Sequence, residues 1–231
     1  IRMLTEMEKE YEGFSKAVKT VMQAAEKNTL RGVHGPVASL MTTKKEYAVA
    51  LEIALGAALQ NIVVDREEDA KTAIRFLQQR DGGRATFLPL TAIRGDVLRE
   101  NVAGEYGFVG VASELVRYDK QYDNIFKSLL GRTVVMEDMD SAIALARKFR
   151  NGFRIVTLDG QVINRGGSMT GGSVSRSAGV LSRANELERL SGQQGALHEK
   201  LRAATERAAE LQRELQKAEY ELQVAQEQQR K

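Results

Sequence analysis

The chain of 231 residues contains no cysteine, no tryptophan and only two prolines. Without cysteine there can be no disulfide framework, thiolate zinc site, iron–sulfur cluster or cysteine nucleophile. So few prolines leave long uninterrupted helices open to the chain. No apolar run approaches the ~20 residues of a membrane span, and no secretory apolar segment opens the sequence. These absences fit a soluble protein of a reducing compartment with no membrane partner. Charge of one sign is scarce too: 34 basic residues face 31 acidic ones, a net +3. A strongly basic nucleic-acid module would carry a larger surplus, so any DNA contact must come from local clusters. The length allows one or two domains with a real core. The chain opens on Ile1 in mid-pattern and reads as a segment of something longer.

What is present falls into three parts. Near the start, Leu4, Met7, Tyr11, Phe14, Val18, Val21 and Ala25 follow an alternating four-three rhythm. Near the end it returns as Leu187, Leu190, Gln194, Leu197, Leu201, Ala204, Ala208, Leu211, Leu215, Ala218, Leu222 and Ala225. A sustained 3.5-residue repeat draws one apolar seam along a helix and demands a partner helix. From Ala184 to Lys231, eight basic and nine acidic residues balance on a solvated outer face. One helix enters the middle of the chain and the other leaves it, so pairing within the chain is expected to be antiparallel. The second is longer by roughly 20 residues, an overhang of about 30 Å. Both look like pieces of a long coiled-coil rod.

Between Gly32 and about Arg183, helical stretches alternate with short β-branched runs: Asn61–Val64, Ala85–Leu88, Thr133–Val135 and Arg154–Thr157. That alternation argues for a mixed α and β domain. The middle also repeats itself. Gly32-Val-His-Gly35 and the residues to Leu40 match Gly107-Phe-Val-Gly110 and the residues to Leu115, 75 positions later. The same offset pairs Lys45, Tyr47, Leu51, Leu55 and Gly56 with Lys120, Tyr122, Phe126, Leu130 and Gly131. After a four-residue shift, Val63-Val64 and Asp69 pair with Val134-Val135 and Asp140, and Arg84–Leu88 then resembles Arg154–Leu158. Each copy reads glycine turn, helix, strand, helix, strand. Tyr47 and Tyr122 are expected at helix core positions, and Gly56 and Gly131 are expected to end their helices in left-handed turns.

The most unusual local feature is Asn164-Arg-Gly-Gly-Ser-Met-Thr-Gly-Gly-Ser173, with four glycines between 166 and 172. Such a run costs backbone entropy, so something should require it. It could cradle a phosphate, form a flexible linker to the rod, or let two backbones approach closely. For the first use, Gly172 stands where a P-loop has its lysine. For the third, Gly171-Gly172 flanked by Ser, Thr and Met suits an edge strand that pairs with another chain.

Catalytic constellations are poorly represented. His34 reads as a turn residue and His198 as a solvated position on the outgoing helix, each without a partner at a meaningful spacing. The acidic runs Asp65–Asp69 and Glu137–Asp140 follow strands in both copies, where acidic side chains favour a helix N-terminus over a metal.

Taken together, a globular insert between two coiled-coil arms, a doubled subdomain beginning Gly-x-x-Gly, and the Gly166–Gly172 loop resemble the hinge of a structural maintenance of chromosomes (SMC) protein. The bacterial condensin form is the nearest likeness. The resemblance implies an α+β fold: two duplicated α/β subdomains forming a hinge, flanked by an antiparallel intramolecular coiled coil. On that plan residues 1–31 are the incoming arm, 32–105 and 106–183 the two hinge subdomains, and 184–231 the outgoing arm. It further implies a homodimer, with Gly166, Gly167, Gly171 and Gly172 at the interface. Two protomers would meet head-to-tail at two equivalent contacts about a two-fold axis. ATPase heads, kleisin and accessory subunits belong at the far arm ends, outside this segment, which needs no cofactor or metal and has no catalytic residues of its own. Its place would be the nucleoid in the cytoplasm, in chromosome condensation and segregation. Non-specific DNA binding would use basic residues near the hinge–arm junction: Lys27, Arg31, Lys44, Lys45, Arg176 and Arg183. The alternatives are a nucleotide-binding enzyme domain using the Gly166–Gly172 loop, and a stand-alone coiled-coil scaffold.

Overall fold

A computed structural model describes Glu6, residues 11–173 and residues 179–229. Leu4, Met7 and Arg176 lie outside the described residues. The chain divides near Glu186 into two compact units.

In the first unit, helix α1 spans Lys16–Glu26. The early apolar rhythm predicts one helix running through Tyr11 and Phe14, but the backbone turns there, with φ of 51° at Tyr11 and 94° at Gly13. Ser15 then starts α1 afresh as its N-cap, its hydroxyl accepting the Val18 N–H at 3.4 Å. Val18, Val21, Met22 and Ala24 are buried in one cluster with Ile62, Val64, Ala73 and Leu77. Within the stretch 1–31 expected as an arm, α1 is built into the globular unit, because its apolar stripe has a sheet and a helix to cover.

Two copies of one motif follow. In the first, strand β1 (Val33–Pro36) leads to β2 (Met41–Thr43), helix α2 (Ala48–Leu55), β3 (Ile62–Val64), helix α3 (Glu67–Gln79) and β4 (Phe87–Pro89). In the second, β5 (Phe108–Val111) leads to β6 (Val116–Tyr118), helix α4 (Asp123–Leu130), β7 (Thr133–Met136), helix α5 (Met139–Lys148) and β8 (Arg154–Thr157), and the hairpin β9 (Val162–Ile163) and β10 (Met169–Thr170) is added. The sheets run β1-β3-β4 and β10-β9-β8-β7-β5, and β2 pairs with β6 between them.

Strand alternation sorts side chains between cores. Ile62 and Val64 enter the cluster built with α1. Val134, Met136 and Ile155 enter its counterpart, where Val102 of the connector joins them and Leu98 packs alongside. Val63, Val135 and Val156 point the other way, into a central core shared by α2 and α4, with Leu51 and Phe126 fully buried. Both faces of these strands are thus covered, as their continuous apolar runs require.

The duplication is confirmed, with its register corrected. Val33 lies opposite Val64, and Phe108 opposite Met136, so Val64 corresponds to Met136 and Val63 to Val135, three residues short of the initial offset rather than four. The missing residues come from the 3₁₀ turn Gly56–Gln60, which the second copy lacks. Phe87 corresponds in turn to Ile155. A one-residue slip would have sent each valine to the wrong core.

Gly56 does end α2 with φ of 51°, but Gly131 is right-handed, φ −65°. Gly131 is required for space: a Cβ there would strike the carbonyl oxygens of Asp96 and Lys127. The acidic runs sit in the first turns of α3 and α5. Asp138 caps α5, its carboxylate accepting the Ser141 N–H at 2.8 Å.

Helix α6 (Val180–Gln229) runs without a break, and the second unit comprises its part from Leu187 onward. Its seam residues Leu197, Leu201, Leu211, Leu215 and Leu222 are 50–65% exposed. Ion pairs Arg202–Glu206, Arg207–Glu210 and Lys217–Glu221 lie on its outer face and add little stability singly.

Candidate self-association edges

The glycine cluster forms the turn and outer strand of a hairpin. Asn164 N–H donates to the Ser168 carbonyl at 2.8 Å, closing a turn in which Gly166 and Gly167 have φ of 90° and 96°. Few residues other than glycine hold such angles. Gly166 N–H donates to the Asn151 carbonyl at 3.1 Å, seating the turn on the loop after α5. A Cβ on Gly167 would lie 3.1 Å from the Asn151 side chain, and one on Gly171 would strike the Gln161 carboxamide. Gln161 in turn grips the strand end, accepting the Gly172 N–H at 2.8 Å and donating to its carbonyl at 3.1 Å.

This geometry does not suit a phosphate cradle. Such a loop keeps its N–H groups free and leads into a helix. Here the N–H groups of Gly166, Gly167 and Gly172 are all committed within the hairpin, and strand β10 follows.

β10 is the terminal strand of the five-stranded sheet. Ser168 bonds inward to Asn164, so the main-chain groups of Met169 and Gly171 face outward, and Met169 is 53% exposed. Among the described residues this edge is unpaired, and neither charge nor proline protects it.

Subdomain 1 ends differently. β8 carries β9 on its outer side, whereas its counterpart β4 is terminal in the three-stranded sheet. Thr86 accepts from Ile62, and Leu90 donates to Val64, so Phe87 and Pro89 face outward. Pro89 suits an edge because no ladder donor is lost there, and its carbonyl is taken by the N–H groups of Ala92 and Ile93. Among the described residues, one subdomain thus offers an added strand and the other an edge with no strand beside it.

The basic candidates do not gather. Lys27 caps α1, and Arg31 lines a cavity of about 490 Å³ with Asp65, Arg66 and Asp69. Lys44 and Lys45 line a separate cavity of about 790 Å³ with Glu46, Glu137 and Asp159, and the Lys44 ammonium lies 3.6 Å from Glu46. Arg183 donates to the Glu12 carbonyl at 3.1 Å. Among the described residues, no cluster of three or more histidines and carboxylates could hold a metal, and no helix is long and apolar enough to cross a membrane.

Sequence reasoning missed two residues between the subdomains. His34, expected in a turn, lies in β1, with Nδ1 3.0 Å from the Tyr122 hydroxyl and Nε2 2.8 Å from Asp65. Arg154 of β8 donates through Nη1 to the Ala54 carbonyl at 2.7 Å and through Nη2 to that of Ile53 at 3.4 Å, at the end of α2. Burial pulls the pKa of its guanidinium down. The register read from sequence set Arg84 against Arg154 and so hid Arg154; the structural register makes Thr86 its counterpart, and Val109 that of His34.

Comparison with known proteins agrees with this architecture. The family model "SMC proteins Flexible Hinge Domain" matches residues 30–146. The chromosome partition protein Smc of Bacillus subtilis is 43% identical over 203 residues, covering 86% of this chain and 17% of that protein. The Smc protein of Methanocaldococcus jannaschii is 40% identical over 193 residues, 81% of this chain and 16% of that protein. The chain therefore spans about a sixth of the length of these relatives. Among solved structures, an asymmetric dimer of the Geobacillus stearothermophilus SMC hinge domain superimposes with a TM-score of 0.80 at 41% identity, covering 86% of this chain and 81% of that one. The Pyrococcus furiosus SMC hinge domain gives 0.59 at 30% identity, covering 74% and 86%. With its doubled α/β core, helical extension and these matches, the chain belongs to the SMC hinge-domain family.

Proposed function

We propose that this segment is the homodimerisation hinge of a chromosome-partitioning SMC ATPase, joining two coiled-coil arms through protein surfaces alone. The observation that carries the reading is the complementary pair of edges: among the described residues, β10 is an unpaired outer strand and no strand lies beside β4. If β10 of one protomer lies against β4 of the other, a two-fold axis generates the same contact twice. Gly171 leaves room for the Gln161 carboxamide that grips the end of β10. Gly166 and Gly167 shape the turn that holds β10 in place, so the four glycines act together. ATP hydrolysis, kleisin and accessory subunits belong to the absent head domains, and the whole protein acts on the nucleoid.

Non-specific DNA contact is assigned to Lys27 and Arg31 on the incoming side and Arg183 on the outgoing side. Lys44 and Lys45 face acidic neighbours and add less. The experiment that tests the reading replaces Phe87 or Met169 with proline, removing one outward donor from each edge in turn. Each variant should fold and lose dimer mass in sedimentation; unchanged dimers from both would exclude these edges.

A further inference from the structure

Head-to-tail contacts close into a two-protomer ring only when their edges are correctly angled; otherwise they run on as an open chain. Here the β4 edge belongs to subdomain 1 and the β10 edge to subdomain 2, so the joint between subdomains fixes that angle. Part of this joint is nearly symmetric: the β2–β6 ladder and the central core. Two polar ties are not.

Arg154 reaches from β8 to the last carbonyls of α2, a cation at the negative end of a helix. Its counterpart, Thr86, is too short for this. The Nε of Arg154 is buried without a hydrogen-bond partner among the described residues, a desolvation cost set against its two bonds to α2. His34 reaches from β1 to Tyr122 of the other subdomain, the rings edge-on with centroids 5.5 Å apart. Its Nε2 faces the Asp65 carboxylate, which can only accept, while Nδ1 faces the Tyr122 hydroxyl, so one ring ties both subdomains. The counterpart Val109 has no polar atom to offer.

We propose that Arg154 and His34 set the angle between the two edges, and so decide whether protomers close into a ring of two or extend into open chains. This rests on the self-association reading above. Neither residue needs to touch the partner protomer: each is a positioning residue acting through the joint.

The test is sedimentation velocity over a hundredfold concentration range on the whole chain, on Arg154→Met, and on His34→Val, which installs the residue of the other half. The intact chain should sediment as one dimer at all concentrations. Each variant should dissociate at least tenfold more readily and add species larger than a dimer as concentration rises. Should Arg154→Met fail to fold, by loss of its circular dichroism signal, His34→Val carries the test alone. Folded variants that remain dimers of unchanged affinity would overturn this inference while leaving the edges intact. An intact chain that is monomeric would instead overturn the self-association reading beneath it.

Discussion

Thr42 and Arg117 lie opposite one another in the β2–β6 ladder, and each is the other's counterpart in the duplicated sequence. Met41 opposite Tyr118 and Thr43 opposite Val116 complete the pattern, since each pair exchanges under the same offset of 75 positions. A pseudo-two-fold axis therefore passes between Thr42 and Arg117, and the central core is an internal interface between two copies.

Leu51 and Phe126 are counterparts in that core, both fully buried. Leu51→Ala should cost about 3 kcal/mol and Phe126→Ala about 4 kcal/mol. Because one core serves both subdomains, each variant should shift a single denaturant transition, and the double variant should depart from additivity. Two separate transitions would mean that the halves unfold independently.

Tyr11 donates to Glu26 at 3.1 Å, and its pKa is pushed up to about 12, first by burial and then by that carboxylate. The neutral phenol is the form favoured by folding. Its contribution is therefore complete below the ordinary value of about 10 and is lost as pH rises through about 12. Ultraviolet titration should find this tyrosine ionising late, and Glu26→Gln should bring it earlier.

Asp138 has its pKa held below the ordinary carboxylate range by hydrogen bonding to Ser141. The cap thus stabilises α5 above about pH 4 and fades as pH falls through the lowered value. Asp138→Ala should be less stable than the intact chain at neutral pH, with the difference smaller at acid pH. Asp138→Asn should keep most of the cap. Thermal melts at the two pH values decide it.

Reversing the charge of Lys27 and Arg31 should weaken DNA binding and reduce the log–log salt slope by about 2 on duplex DNA, if each neutralises one phosphate. An unchanged slope would remove both from the contact.

The doubled subdomain was legible in the sequence because counterpart residues keep their type where both copies bury them, as with Leu55 and Leu130 or Val63 and Val135. Its register was not, since a run of valines looks alike under a one-residue slip and only the pairing partners Val33 and Phe108 distinguish the faces. α1 was misassigned because its apolar spacing serves a sheet as well as a coiled-coil seam; Gly13 and Ser15 were the overlooked stop and start. The glycine loop stood out in the sequence by its composition, with its use left open, whereas the free edge of β4 among the described residues is a property of topology. Arg154 and His34 were invisible because their partners lie about 100 and 88 positions away.

Dimerisation of this segment through edges shaped by Gly166, Gly167, Gly171 and Gly172 is open to direct measurement. Light scattering at micromolar concentration, on the intact chain and on one with Gly166, Gly167, Gly171 and Gly172 replaced by bulkier residues, tests it most directly. The account predicts twice the chain mass for the first and a folded monomer for the second. A monomeric intact chain, or a glycine-free variant that still dimerises fully, would contradict it.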